Sequence, residues 1–277
     1  MTSAPLTRSG VDHADAARRS RAVGWWFFAE GRLRRELPFL GVTLATAFGN
    51  PVLYLVAMGV GLGALVQQPV DGVSYLHFVA PGLVVSTVAT TGAGWGTWPI
   101  MGGFKWERTY LAAGATAISP VQVALGELVA LGLRLLAQAA VFWAIGLAFG
   151  AWGLASAWWV IPIATAAGLA FFAPLAAYSA TLEDEGLQFN FINRLIVMPM
   201  FLFAGTFFPL TAMPPFLQWI GWISPMWHGT QLARIASYGM ANEPLLTLGH
   251  VAFLVACVVG GMAVAARTFS RRMEKAS

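Results

Sequence analysis

GGFKWERTYLAAGATAISP, Gly102–Pro120, is a short polar island between two long apolar stretches of a 277-residue chain. It sets Lys105, Glu107 and Arg108 within four residues and follows them with an amphipathic run. It closes on Ser119-Pro120, a pair suited to start a new helix. A bare connecting loop needs no such order. The plainer reading is that Lys105 and Arg108 flank membrane spans and set their topology.

Working outward, the composition says what surrounds the island. The chain is 58% hydrophobic and only 10% charged, whereas a soluble domain has about a quarter of its residues charged. That shortage makes the bilayer the solvent for most of the chain, so the fold class is all-α integral membrane. Twelve Trp and nineteen Phe suit interfacial aromatic belts. The single cysteine, Cys257, lies in an apolar run, which excludes a disulfide framework or a cysteine-based metal site. The net charge of +4 is split between ends and loops, so no nucleic-acid partner is implied.

Six transmembrane helices are expected. Residues 1–21 read as a flexible N-terminus with no signal peptide. Residues 22–37 mix Trp25, Trp26, Phe27 and Phe28 with Arg32, Arg34 and Arg35. That suits an amphipathic interfacial helix, or a charged flank to the first span. A transmembrane region then fills 38–268. Its first span, about Pro38–Val66, is broken at Asn50-Pro51. Span two covers about Tyr75–Met101, span three Val121–Phe149, span four Trp158–Leu182 with Pro162 and Pro174 inside it, and span five Phe189–Phe208. Between 209 and 240, Pro209, Pro214, Pro215 and Pro225 cut an apolar stretch into pieces shorter than the about 20 residues a crossing needs. These pieces read as two short re-entrant helices before the last span, Thr247–Ala266, and 269–277 reads as a basic tail.

An even number of spans puts both termini on one side. Thirteen of the sixteen Lys and Arg residues fall on the side of the termini and the island, and Arg234 alone falls opposite. The positive-inside rule makes the populated side cytoplasmic, with the acidic triplet Glu183-Asp184-Glu185 there too. The protein is therefore expected in the cell membrane, multi-pass, with both termini cytoplasmic.

Few side chains carry chemistry. GxxxxGK[ST] is absent and GVGLG (Gly59–Gly63) lies inside a span, so the chain has no ordinary ATP site. Its four histidines are scattered singly, without metal-ligand spacing, and no nucleophile elbow occurs. Such a chain moves something rather than transforming it. Glu127 and Arg134 lie two turns apart on one face of span three, and Arg194 opens span five beside Gln188, Asn190 and Asn193. Charges at membrane depth face a bundle interior, a cavity or a partner. Two readings of these three stay open: they fasten helices together, or they line a substrate entrance. His228, in SPMWHG, reads as interfacial packing or as an external proton-sensing group.

With these parts in place, the chain resembles the membrane-spanning permease subunit of type-2 ABC exporters, in particular the nodulation-factor (lipo-oligosaccharide) and daunorubicin-type drug export permeases. The resemblance rests on FKWERTYLAAGATAISPVQVALGEL (Phe104–Leu128) and, more specifically, on FLFAGTFFPLTAMPPFLQWIGWISPMWHGTQLAR (Phe201–Arg234). It implies two permeases, as identical copies or with a sister permease, and two separate ATP-binding subunits. Those subunits would hold ATP and magnesium, and this chain would bind no cofactor. The island, 102–120, would be a cytoplasmic coupling helix whose Phe104, Lys105, Trp106, Glu107, Arg108 and Thr109 meet the ATPase. The block at 209–240 would cap the pathway, with Phe207, Phe208, Pro209, Trp219, Trp222 and His228 as its external gate. Trp106, inside the charged run, departs from a purely polar contact. The implied cargo is an amphipathic lipid, a lipo-oligosaccharide or lipid-linked glycan, or a hydrophobic drug. Two other classes remain: an ion-coupled transporter, which needs facing membrane-embedded acids, and an intramembrane lipid- or glycan-modifying enzyme, which needs an acid/base cluster.

Overall fold

The structure is a computed structural model that describes residues 13–66, 68–184 and 186–275. Among these residues the fold is helical, with no strand beyond a single bridge between Val70 and Val73. The helices in chain order begin with α1 (His13–Glu36) and α2 (Leu40–Tyr54, continued by a π-helical stretch Leu55–Leu62). Next come α3 (Tyr75–Trp95), α4 (Trp98–Lys105), α5 (Thr109–Gly114), α6 (Pro120–Ala148) and α7 (Val160–Ser179). The last four are α8 (Gln188–Phe203), α9 (Pro215–Trp222), α10 (Pro225–Tyr238) and α11 (Pro244–Glu274).

Among the described residues, five helical stretches are long and apolar enough to cross a membrane: Gly41–Leu65, Tyr75–Lys105, Pro120–Ala148, Ala155–Ser179 and Pro244–Glu274. The fifth in sequence of the six expected spans, α8, is shorter than these and stops at Phe203 rather than running to Phe208. Two local features account for this. Pro199 lacks an N–H and its ring crowds the preceding turn, which widens into a π-turn over Asn193–Val197. Beyond the helix, Gly205 adopts a left-handed φ of 77°, which turns the chain away.

Other boundaries follow local chemistry. Ser119 and Gln122 form a reciprocal capping box, and Pro120 takes the first helical position, so α6 starts where the sequence places it. Helix α1 begins at His13, inside the segment expected to be flexible; residues 1–12 lie outside the described residues. The expected tail from 269 continues α11 as helix to Glu274, with Arg271 and Arg272 in its last turn, where cations favour a helix C-terminus.

The bundle is built around α3, whose Phe78, Val79, Leu83, Val84, Val85, Val88 and Ala89 are fully buried. Helices approach closely where side chains vanish. A Cβ on Gly92 of α3 would fall on the Gly168 carbonyl of α7, and one on Gly261 of α11 would lie 2.6 Å from the Pro174 nitrogen of α7. In lipid, such small-residue contacts hold helices together by dispersion between backbones. The outer faces of α2, α8 and α11 expose Val42, Leu53, Val60, Phe191, Leu195, Leu248, Val255 and Val259, as a lipid-facing surface should.

Candidate functional site

The island is a helix, a break and a second helix. After α4, the Gly102 carbonyl accepts from the N–H groups of both Trp106 (3.0 Å) and Glu107 (2.9 Å). Arg108 then takes a left-handed φ of 51°, uncommon for a residue with a Cβ, and α5 begins. This break separates two classes of side chain. Trp106, Glu107 and Arg108 point outward, while Phe104 and Tyr110 are buried edge-to-face with centroids 4.6 Å apart. A Cβ on Gly103 would overlap the Tyr110 ring, so only glycine lets this ring close beneath the break.

Tyr110 leads to the centre of the site. Its hydroxyl donates to Glu127 Oε1 at 2.9 Å, and Arg32 Nε of α1 lies 2.8 Å from the same oxygen as an ion pair. Glu127 is 2% exposed. Burial, reinforced by the Glu127 carboxylate, pushes the Tyr110 phenol well up, so it remains the donor. Two turns along α6, Arg134 pairs with Glu36 of α1. The Arg32 and Arg134 guanidinium groups lie 5.6 and 4.6 Å from the Trp95 ring centroid.

Glu127 and Arg134 therefore do not pair with each other. Each meets a different residue of α1, where positions 32 and 36 share a face at one-turn spacing. The match extends backwards: the Gln122 side chain donates to the Arg21 carbonyl at 2.8 Å, and Gly126 has no room for a Cβ beside Phe28. Helix α1 thus lies along the start of α6 in the same direction. Of its aromatic run, Trp25 and Phe28 turn inward, and Trp26 and Phe27 remain exposed.

The island is also fastened on its other side. Lys105 Nζ donates to the Asp184 carbonyl (3.0 Å), and Glu107 pairs with Arg35 at 3.2 Å, both half-exposed. Phe269 of α11 packs on Phe104 and Tyr110, with centroids 4.8 and 5.4 Å away. Arg272 lies over Phe104 and donates to the Ser179 and Ala180 carbonyls that end α7. Within the acidic triplet, hydrogen bonds from the Gln188 side chain and the Gly186 N–H hold the Asp184 carboxyl below the usual range. Glu183 pairs loosely with Lys275, and Glu185 lies outside the described residues.

The far end of the bundle has its own anchor. Arg234, the one basic residue counted on the side opposite the termini and placed in a short re-entrant helix, is 2% exposed. It donates to the carbonyls of Gly205 (2.7 Å), Thr206 (3.4 Å) and Phe78 (3.3 Å), and its guanidinium lies over the Phe78 ring. The turn after α8 is thereby tied to α3 and α10. Tyr75 adds a bond from its hydroxyl to the Phe207 carbonyl, and Ser86 shares one with Thr206.

Of the six residues expected to form a gate, Trp222 and His228 are joined by a hydrogen bond between the Trp222 carbonyl and His228 Nε2 (3.0 Å). Phe207 packs on Phe201, Phe208 is exposed after Phe207, and Pro209 starts the turn into α9. Trp219 and Trp222 face outward, while His228 is buried against Phe253 and bonds His250 Nδ1-to-Nδ1 at 2.8 Å. Thr109 is half-buried at the start of α5, and Arg194 is exposed in the π-turn of α8, away from Glu127 and Arg134. Sequence reasoning missed Arg32, Glu36, Tyr110, His250 and Phe269 as partners. The one available signal was that 32/36 and 127/134 each place two charges on one helix face, at one-turn and two-turn spacing.

A bundle of long apolar helices with a fastened polar island at one end and broken short helices at the other defines a multi-pass membrane protein. The family model described as ABC-2 type transporter matches residues 40–238, and the chain belongs to that family as its permease subunit. Among curated proteins it is similar to Nodulation protein J of Rhizobium meliloti (strain 1021), 28% identical over 91% of this chain and 95% of that one. It is also similar to Nodulation protein J of Bradyrhizobium diazoefficiens, 30% identical over 87% of this chain and 91% of the relative. The Sinorhizobium fredii protein of the same name is 30% identical over 76% and 81%. The family is one of transport permeases rather than catalysts, and it works with an ATP-binding subunit.

Proposed function

We propose that this chain is the permease of an ATP-driven exporter that moves an amphipathic lipid, lipo-oligosaccharide or lipid-linked glycan out of the cytoplasm or inner leaflet. A hydrophobic drug is the other cargo of the same class. ATP and magnesium are held and ATP is hydrolysed on the separate subunit, and a second permease, identical or sister, completes the complex. Both termini and the island are cytoplasmic, α8 serves as the short fifth of six spans, and α9 and α10 cap the outer face. The observation that carries the reading is the Tyr110–Glu127–Arg32 node. It joins the outward-pointing Trp106-Glu107-Arg108 break to two other helices, so force applied at the break reaches α1 and α6 without slack.

Three grooves support the cargo class. One, of about 300 Å³ between α2, α3 and α8, presents Asn50, Thr87, Thr90, Thr91 and Asn193. It shares Asn50 and Thr91 with a second groove, walled by Leu33, Leu37, Leu133 and Val141, that reaches Gln138, Arg134 and Glu36. Hydrogen-bonding side chains at that depth suit sugar hydroxyls. An apolar groove of about 710 Å³ on another face of α8 suits hydrocarbon. The ion-coupled reading fares worse, because Glu127 faces a cation and a phenol rather than another acid.

Replacing Glu107 and Arg108 together with Ala tests the coupling role. The Glu107–Arg35 pair is half-exposed and worth at most about 1 kcal/mol, so the chain should reach the membrane at normal level. Transport by the complex should fall by about tenfold or more, with weaker ATPase association. Unchanged transport would remove the island from the coupling path.

A further inference from the structure

Helix α11 runs unbroken from Pro244 to Glu274 with no proline after its first residue, a length of about 45 Å at 1.5 Å per residue. One stripe of it is buried from end to end: His250, Leu254, Met262, Ala265, Phe269 and Met273. At the island end, Phe269 packs on Phe104 and Tyr110, and a Cβ on Gly114 would come 2.8 Å from Met273 Cε. At the other end, Phe253 stacks on His228 at 3.9 Å, and Trp227 sits edge-on to both imidazoles.

The His228–His250 bond is directional. The Trp222 carbonyl can only accept, so His228 Nε2 donates to it at 3.0 Å. Neutral His228 then accepts at Nδ1 from the Nδ1–H of His250. The bond joins α11 to both α10 and the end of α9. Between the two ends, Gly261 rests on Ala173 and Pro174 of α7 with no space for a Cβ. That contact lies about 12 Å from Phe269 and about 16 Å from His250 along the helix.

The island also has two covalent routes to the far end. One passes from α4 into α3 through a non-helical joint at Thr97 (φ −106°, ψ −106°). The other runs along α6, whose following turn reaches only the C-terminal end of α10, through the Gly153 and Leu154 N–H groups on the Ser237 carbonyl. Helix α11 instead holds His228 near the start of α10 and, through it, the end of α9. We propose that α11 is the element that carries displacement of the island to the α9–α10 pair, pivoting where Gly261 meets Pro174. Phe269 and His250 are its positioning residues. The inference rests on reading the island as the coupling segment.

The test uses the full chain with its ATP-binding partner in proteoliposomes, in a Cys257→Ser background with Trp219→Cys as reporter on α9. Labelling by a membrane-impermeant maleimide is timed without nucleotide and after trapping with ATP, magnesium and vanadate. In the background protein, trapping should change the labelling rate by about threefold or more. His250→Phe, which keeps a ring but removes the Nδ1–H donor, and Phe269→Ala should each abolish that change, with nucleotide-free labelling preserved. Phe269→Leu replaces the Ala variant should that one accumulate poorly. An undiminished response in both variants would assign transmission to the covalent routes through α3 or α6 and overturn the inference. So would a background protein whose partner hydrolyses ATP while the reporter stays silent, although the coupling reading would then stand. Failure of the partner to bind the background protein would sink both.

Discussion

Arg234→Leu should deplete the protein from the membrane and lower the melting temperature of whatever survives extraction. The guanidinium is fully enclosed and supplies donors to three main-chain carbonyls, Phe78, Gly205 and Thr206. Two of these follow the end of α8, where helix termination leaves carbonyls without intrahelical partners. Leucine fills much of the volume but offers no donor. Each buried carbonyl left unmet costs about 1–3 kcal/mol, so the sum is several kcal/mol, a large share of a typical folding free energy. Arg234→Lys should fall between, because a single ammonium cannot donate to the Phe78, Gly205 and Thr206 carbonyls and also lie flat over the Phe78 ring as a planar guanidinium does. Membrane level and intrinsic tryptophan unfolding in detergent measure the effect. A Leu variant melting within about 2 °C of the parent would show that the anchor is not needed.

Glu127→Leu should have the second large effect, and a function-specific one. It leaves the Arg32 guanidinium, whose side chain is 12% exposed, without its counter-ion and Tyr110 without its acceptor. Breaking a buried pair from one side costs about 3–5 kcal/mol, because the stranded charge remains desolvated. Removing both charges in Arg32→Met with Glu127→Leu should restore most of the lost stability, since apolar replacement avoids that penalty. It should not restore transport, because the buried node joining α1, α6 and the island would be gone, leaving only the half-exposed Arg35–Glu107 pair between α1 and the island. Thermal stability of the single and double variants, compared with transport by the assembled complex, separates the two effects. Transport recovering together with stability would reduce the node to packing.

Much of the fold could be read locally. Ser119-Pro120 with Gln122 places the start of α6, and the prolines at 214, 215 and 225 place α9 and α10, because caps and missing N–H groups act within one turn. The end of α8 was legible only in part: Pro199 and Gly205 act locally, whereas the Arg234 side chain that holds the Gly205 carbonyl comes from far along the sequence. The same limit applies to the site. Glu127 and Arg134 stand out as expensive charges in an apolar run, but their partners lie on α1, and hydropathy carries no register between separate helices. His228 and His250 each look solitary in sequence because the fold alone brings them together. The outward side chains of the island were legible because Trp106, Glu107 and Arg108 need no distant partner to point into solvent; the left-handed turn that presents them was not.

The most direct test of the central claim is purification of the tagged chain from its native membrane in mild detergent, with every co-purifying chain identified and quantified. The account predicts an ATP-binding subunit in near-equal amount and vanadate-sensitive ATP hydrolysis by the preparation. A chain that purifies alone, hydrolyses no ATP and captures no such partner on crosslinking in the membrane would contradict it.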